Sequence, residues 1–149
     1  MTIPLVPPPV LALGAGVAQH VLARRTPSVP SAVAAGVVAA ASIGLAASAA
    51  AGFRRRGTTL DPHEPEKASV LVSDGPHRFT RNPMYAGVVG VLLAHALLRR
   101  SAPALLPVAA FAVLIDRVQV PAEEAALRGR FGSAYDEYCS RVPRWFGLP

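Results

Sequence analysis

Long uncharged apolar runs alternate with short basic segments along this chain. Each run ends near one or more arginines, and the runs cover residues 3–23, 29–53, 83–99 and 102–118. A membrane-spanning helix needs about 20 mostly apolar residues, within a range of about 17–25. The pattern therefore predicts an all-α integral membrane protein with about four transmembrane helices, forming a single membrane domain over residues 1–149.

The composition agrees with this class. Hydrophobic residues make up 52% of the chain and charged residues 16%, whereas soluble domains carry about 25% charged residues. No basic residue precedes the first apolar run, so we expect a retained span rather than a cleaved signal peptide. The single cysteine, Cys139, excludes an internal disulfide, which suits a tail that faces the cytoplasm.

The second apolar run consists almost entirely of small residues. A stripe of them recurs at every fourth position, at Gly36, Ala40, Gly44, Ser48 and Gly52. Small residues at this spacing let two membrane helices approach closely. The stripe therefore predicts the packing face of the second helix.

The net charge of +6 comes from arginines at the ends of apolar runs, so the predicted partner is the lipid bilayer and not nucleic acid. With four spans, the first and third loops hold four basic residues, Arg24, Arg25, Arg99 and Arg100. The other side holds eleven: Arg54, Arg55, Arg56, Lys67, Arg78, Arg81, Arg117, Arg128, Arg130, Arg141 and Arg144. The positive-inside rule then places the second loop and both termini in the cytoplasm.

A polar, turn-rich segment, residues 73–87, stands directly before the third apolar run. Its Gly-Pro and Asn-Pro pairs mark turns, and Pro83 can open the following helix. Polar side chains at the mouth of a membrane helix indicate a functional site. The tail that follows the fourth run would emerge on the same face, with Glu123 and Glu124 in the first turn of a helix that Pro121 starts.

Two motifs in this order resemble the isoprenylcysteine carboxyl methyltransferase family, which includes bacterial phospholipid methyltransferases. The first motif has Gly75, His77, Arg81, Asn82, Pro83, Tyr85 and Gly87. After a predicted hairpin, the second has Glu123, Glu124, Phe131, Gly132, Tyr135, Tyr138, Arg141, Val142 and Pro143. The resemblance covers roughly residues 58–146.

The resemblance implies S-adenosylmethionine as the methyl donor and a lipophilic or small membrane-partitioned acceptor. The cofactor site would form on the cytoplasmic side from segments 58–87 and 119–146, with Glu123 at the ammonium group. The implied cofactor residues are Ser69, Val70, Leu71, Val72, His77, Arg81, Asn82, Pro83, Met84, Tyr85 and Glu123. Direct methyl transfer needs alignment more than a nucleophile, so Arg81 and Tyr85 are only candidates for a catalytic role. No histidine has a partner at metal-ligand spacing, so no metal is predicted.

The chain departs from the family pattern at three positions. His77 replaces a tyrosine, Asn82 replaces a histidine although it can still cap the helix, and Gln119 replaces an acceptor-binding arginine. The candidate substrate-binding residues are Arg117, Gln119, Tyr135 and Tyr138; the two tyrosines are equally consistent with an interfacial aromatic belt. Two alternatives remain open, an NADPH-dependent membrane sterol or isoprenoid reductase and a non-enzymatic lipid-binding protein.

Overall fold

The computed structural model describes residues 6–23, 25–57 and 69–147, and within these ranges it contains helices and no strand. The α-helices are α1 (Pro8–Leu22), α2 (Val29–Arg55), α3 (Pro83–Leu98), α4 (Leu105–Leu114), α5 (Val120–Phe131) and α6 (Ser133–Arg141). Two 3-10 turns, Gly75–Arg78 and Ala102–Ala104, precede α3 and α4, and a π-helical segment, Ile115–Gln119, joins α4 to α5. The all-helical class predicted from the apolar runs is confirmed for these ranges.

Two helices of the described part are long and apolar enough to cross a membrane, Val29–Arg55 and the continuous helical stretch Ala102–Phe131. α1 has 15 residues and α3 has 16, so both are apolar but short. Residues 3–5 of the predicted first span lie outside the described ranges. The four-span arrangement therefore stays a prediction.

The α2–α3 contact is the most extensive in the fold, but it does not use the predicted small-residue stripe. Gly36 and Gly44 are exposed, and a Cβ added at either would meet nothing within 4 Å. The close approach comes instead from Gly87 of α3, where an added Cβ would lie 2.7 Å from the Ser42 carbonyl oxygen and 2.8 Å from Ala46 Cβ. The stripe prediction was wrong for this contact. Small side chains lie on every side of an alanine-rich helix, so the positions of the glycines on the partner helix determine which side packs.

The helix that carries the two glutamates does not start anew at Pro121. Helical structure runs from Ala102 through Phe131, and the boundary predicted near residue 118 falls inside the π segment. There the Val120 N–H donates to the Ile115 carbonyl, five residues back. Proline lacks an N–H and disturbs the preceding turn of a helix, and a π turn is a known way to absorb such a disturbance.

α1 packs against α3 and α4, and it is fastened to them by one buried amide. Gln19 is 0% exposed. Its Nε2 donates to the Leu92 carbonyl at 2.9 Å and to the Ala104 carbonyl at 3.0 Å. Nearby, Arg99 donates to the Ala23 carbonyl at 2.7 Å. We call this region the far end of the helices, because the polar segment 73–87 lies at the opposite end, where α2 finishes and α3 begins.

Candidate functional site

The segment before α3 is held against the end of α2 by three kinds of contact. A Cβ added at Gly52 would lie 3.6 Å from Val72 Cγ1, so backbone and side chain nearly touch there. The Phe53 ring meets the His77 imidazole edge to face, with centroids 5.2 Å apart. On the surface, Arg56 and Asp74 form an ion pair at 2.5 Å. The segment before α3 therefore packs against the C-terminal end of α2.

The C-terminal segment, residues 142–147, crosses this region and is named here the tail strap. The Pro143 carbonyl accepts from the Arg81 N–H at 2.9 Å. The Arg144 carbonyl accepts from Thr80 Oγ1 at 2.8 Å and from Asn82 Nδ2 at 3.1 Å. Asn82 precedes α3 without a side-chain cap to it. The predicted capping role of Asn82 was wrong, because its amide is used by the tail strap.

An ionic cluster fastens the tail strap to α5. Arg144 binds Glu124 with both arms of its guanidinium, through Nε at 3.0 Å and Nη2 at 2.7 Å. Arg81 approaches the same carboxylate at 3.3 Å, and its Nη1 also contacts Cys139 Sγ. Asp116 accepts from the Trp145 indole at 2.8 Å. The hydrogen bond that Arg144 donates to Glu124 raises the pKa of the Arg144 guanidinium, so this arginine is charged at neutral pH.

Glu123, the neighbour of Glu124, has a different environment. Its Oε1 accepts from the Tyr85 hydroxyl at 2.5 Å and from Gln119 Nε2 at 2.7 Å. Tyr85 belongs to the first turn of α3 and Gln119 to the π segment. Tyr85 belongs to the first sequence motif and Glu123 to the second, and the two hydrogen bonds fix the orientation of the Glu123 carboxylate.

Both glutamates face one cavity of about 120 Å³. Acidic, basic and aromatic side chains share its wall with aliphatic ones. The lining residues are Phe53, Val70, Leu71, Val72, His77, Arg81, Asn82, Val120, Glu123, Glu124, Leu127, Tyr135 and Tyr138. Oppositely charged groups around one partly apolar cavity are suited to a ligand that itself carries both charges and a flat apolar portion.

The His77 side chain is buried in this wall, 5% exposed. Its Nδ1 has no hydrogen-bond partner among the described residues. Burial lowers the pKa of His77 from 6.5 to about 4, against the attraction of Asp74. The imidazole is therefore neutral at neutral pH, with hydrogen-bonding capacity to spare beside the cavity.

Tyr135 and Tyr138 of α6 are buried, so they do not form an exposed aromatic belt. The Tyr138 hydroxyl donates to the His77 carbonyl at 2.8 Å and thereby joins the two motifs. Burial raises the pKa of both phenols, so both remain protonated. Tyr138 acts at least as a support for the turn that carries His77.

The structure brings most of the predicted site residues to the cavity and leaves others away from it. Val70, Leu71, Val72, His77, Arg81, Asn82, Glu123, Tyr135 and Tyr138 line it. Ser69, Pro83, Met84, Tyr85, Arg117 and Gln119 do not, although Tyr85 and Gln119 hold Glu123. The Arg117 side chain is 78% exposed and pairs with Asp116 at 3.1 Å. Residues 58–68 of the predicted cofactor segment lie outside the described ranges.

Some residues around the cavity were missing from the predicted set. Phe53, Val120 and Leu127 line it, as does Glu124, which was predicted in the second motif but not as a cofactor contact. Phe53 closes the second apolar run directly before its arginines, and Arg144 follows the Arg-Val-Pro motif. Their positions beside these features were the signals in the sequence that could have identified them. The spacing of the residues does not show that Arg144 binds Glu124. In the described part of the chain, no three His, Cys, Asp or Glu residues are grouped to hold a metal ion.

Comparison with known proteins gives this site its context. The model of the phospholipid methyltransferase family matches residues 31–134. The chain belongs to this family. An uncharacterized protein of Haemophilus influenzae is 36% identical over 62 residues, which are 42% of this chain and 98% of that relative. No solved structure matches the chain.

Membership of the phospholipid methyltransferase family indicates a methyltransferase that acts on lipid-related substrates, and it favours this activity over the reductase alternative. The matched range contains Arg81, Tyr85 and Glu123 and ends before the tail strap. Together with the two candidate spans, membership also indicates association with a membrane.

Proposed function

We propose that this protein transfers a methyl group from S-adenosylmethionine to a lipophilic acceptor that reaches the site from the bilayer. The observation that carries the proposal is the convergence of the two motifs on one cavity, whose wall contains Arg81, Glu123 and Glu124. Arg81 and the two glutamates are about 40 positions apart in the sequence. All three lie in the range that matches a family of methyltransferases.

The chemistry of the cavity wall fits the groups of this cofactor. Its amino-acid end carries an ammonium and a carboxylate, which suit Glu123 and Arg81 respectively. Its adenine suits the aromatic face formed by Phe53 and His77. His77 Nδ1 and Arg81 Nε have no hydrogen-bond partner among the described residues. Each could therefore form one hydrogen bond with the cofactor. In total, two charged contacts and an aromatic surface would orient the cofactor.

The size of the cavity sets a condition on binding. Small-molecule sites usually enclose about 300–1,000 Å³, whereas this cavity has about 120 Å³. The cavity therefore accepts only part of the cofactor in the present arrangement. Segment 69–72 carries three of the lining residues and contains no regular helix, so we propose that it moves outward on binding.

The cofactor supplies an activated methyl group on its sulfonium, and the protein supplies alignment. Holding donor and acceptor in line is worth up to about 7–11 kcal/mol in favourable cases. Tyr85 and Gln119 hold Glu123 in one orientation, and Arg144 holds Glu124. We assign positioning roles to Tyr85 and Gln119. A general base is needed only for an acceptor that arrives protonated.

We also propose that four helices cross the membrane, with the cavity, the second loop and both termini in the cytoplasm. The basic residues support this orientation, four on one side against eleven on the other. α1 and α3 span about 22–24 Å at 1.5 Å per residue, less than the usual hydrocarbon thickness of about 30 Å. A locally thinned bilayer would accommodate them.

Isothermal titration of the purified full-length protein with S-adenosylhomocysteine tests the cofactor assignment. We expect binding by the wild type and at least a tenfold weaker affinity for Glu123→Ala, since a hydrogen bond to a charged group contributes about 1.5–3 kcal/mol. Glu137→Ala is the control, because Glu137 is exposed on α6 and pairs only weakly with Arg141 at 3.5 Å. A folded wild type that does not bind, or equal loss in both variants, would refute the assignment.

A further inference from the structure

We infer that a groove between α1 and α4 binds one acyl chain of the acceptor lipid; this inference rests on the proposed function. The groove has a volume of about 450 Å³ and is separate from the polar cavity. Its lining consists of apolar side chains and one glycine. These residues are Leu11, Gly14, Ala15, Ala18, Leu22, Leu106, Pro107, Ala110, Phe111 and Leu114.

The dimensions of the groove select a single hydrocarbon chain over a helix. From Leu11 to Leu22 along α1, eleven rises of about 1.5 Å give a length of about 16 Å. A volume of about 450 Å³ over this length corresponds to a mean cross-section of about 27 Å². A helix with its side chains, about 10–12 Å across, needs about 80–110 Å². A second copy of the protein could therefore cover the groove with a helix but not fill it.

The groove follows α1 over most of its length. It extends from Leu11, near the start of the helix, to Leu22, its last residue. A lipid chain that enters at the Leu11 end would therefore run along α1 toward the far end.

The groove begins at the end of the helices where the candidate site lies. Leu11 and Phe111 of the groove pack in the same apolar cluster as Tyr85 and Val120. Val120 in turn lines the polar cavity. Leu22 marks the opposite end, directly before Ala23, which packs with Ala96 and Ala104 at the far end. A chain in the groove therefore directs its head group toward the cavity and not away from it.

The entrance to the groove also carries an exposed arginine suited to a lipid head group. Arg117 follows Leu114 by three residues, within one helical turn, and its side chain is 78% exposed. Its ion pair with Asp116 involves neighbouring residues at the surface, and such pairs contribute little. A phosphate near the Leu114 end of the groove would therefore find a guanidinium within reach.

The test is photo-crosslinking of the full-length protein in nanodiscs, with a phosphatidylethanolamine that carries a diazirine midway along one acyl chain. Mass spectrometry should find most crosslinks on segments 11–22 and 106–114. Gly14→Leu should reduce them at least threefold, because a Cβ at Gly14 meets nothing within 4 Å and a leucine would fill the groove. Gly36→Leu is the matched control on the exposed face of α2, where a Cβ is equally unhindered, and it should leave the crosslinks unchanged.

Three results would overturn the inference. Crosslinks spread evenly over all outward helix faces would indicate ordinary surrounding lipid. An undiminished yield in Gly14→Leu would place the chain elsewhere, and crosslinks lost upon dimerisation would identify a second copy as the occupant. S-adenosylhomocysteine titration of the same variants separates this inference from the proposed function, because Gly14→Leu should bind the nucleoside as the wild type does.

Discussion

At the far end of the helices, Gln19 uses its whole amide. Its Nε2 donates to two carbonyls, and its Oε1 lies 3.2 Å from His95 Nδ1. At the opposite end, His77 Nδ1 and Gln119 Oε1 are buried without a partner among the described residues. Arg99 also leaves its Nε unpaired at the far end, but it lines neither the polar cavity nor the α1–α4 groove.

This difference separates structural polar groups from those suited to a ligand. A buried polar group without a hydrogen bond costs about 1–3 kcal/mol, so unpaired groups persist where something else compensates. Gln19 joins three elements, and its bonds account for its burial. His77 faces a cavity that also has charged walls. We therefore expect variants at the far end to change stability alone, and variants at the cavity to change stability and ligand binding together.

The largest expected effect is at Glu124, where the comparison is sharpest. Glu124→Gln should lower the free energy of unfolding by about 3 kcal/mol, because removing one partner of a buried ion pair leaves the other charge uncompensated. Here Arg81 would lose its carboxylate, and Arg144 would keep only Asp116, at 3.3 Å. Denaturation in mixed micelles measures the change. The control is Glu137→Gln on exposed α6, and a similar loss in both would show that the ionic cluster contributes nothing special.

The next effect is a pH dependence that comes from His77. Its pKa is about 4 in the folded protein, below the usual 6.5, so the unfolded chain takes up a proton first as the pH falls. Stability that is present above pH 6.5 should decline down to about pH 4, by up to about 3 kcal/mol. The same micelle denaturation, repeated from pH 7.5 to 4, should show a flatter profile for His77→Phe. An unchanged profile in that variant would assign the dependence to other groups.

The helices were predictable from the sequence to a greater extent than their contacts. The apolar runs at 29–53 and 83–99 lie within two residues of α2 and α3, because a long uncharged run has few alternatives to a helix. The packing face of α2 was not predictable, since its small residues cover every side. The packing face of α2 is determined by Gly87 of the partner helix α3. The sequence of α2 alone therefore does not show which of its faces packs.

The candidate site shows the same division. The two motifs identified Arg81 and Glu123, since both motifs carry charges that are costly near a membrane. The tail strap was not foreseen, because Thr80 and Arg144 are joined across 64 positions by a side chain and a carbonyl. The unbroken helix through Pro121 also escaped prediction, since a proline is usually taken as a helix start and the π turn before it has no sequence signature.

A third prediction concerns the α2–α3 contact, midway between the two ends. Gly87→Ala should destabilise the fold by about 2 kcal/mol, because its Cβ would overlap the Ser42 carbonyl oxygen and Ala46 Cβ. Gly44→Ala is the matched control on the same helix pair and should be neutral or slightly stabilising, since its Cβ meets nothing. Thermal unfolding in detergent compares the two. A larger loss in Gly44→Ala would restore the small-residue stripe as the packing face.

The smallest expected effect is at the far end. Gln19→Leu removes the bonds to Leu92 and Ala104 and should cost about 1–2 kcal/mol, since hydrogen bonds between membrane helices average about 0.6 kcal/mol each. Both carbonyls also belong to helical turns, which limits the loss. Micelle denaturation measures it.

The decisive measurement on the same variant is ligand affinity. S-adenosylhomocysteine should bind Gln19→Leu as tightly as the wild type at equal folded fraction, because the hydrogen-bond partners of Gln19, namely Leu92, Ala104 and His95, do not line the cavity. His95→Leu provides the control, since it removes the contact to Gln19 Oε1 and the stacking on His20 but keeps both bonds of Gln19 Nε2, and it should behave in the same way with a smaller loss of stability. A weaker affinity in either variant would mean that the far end is coupled to the cavity through α3, and that satisfied polar groups do not mark a purely structural region here.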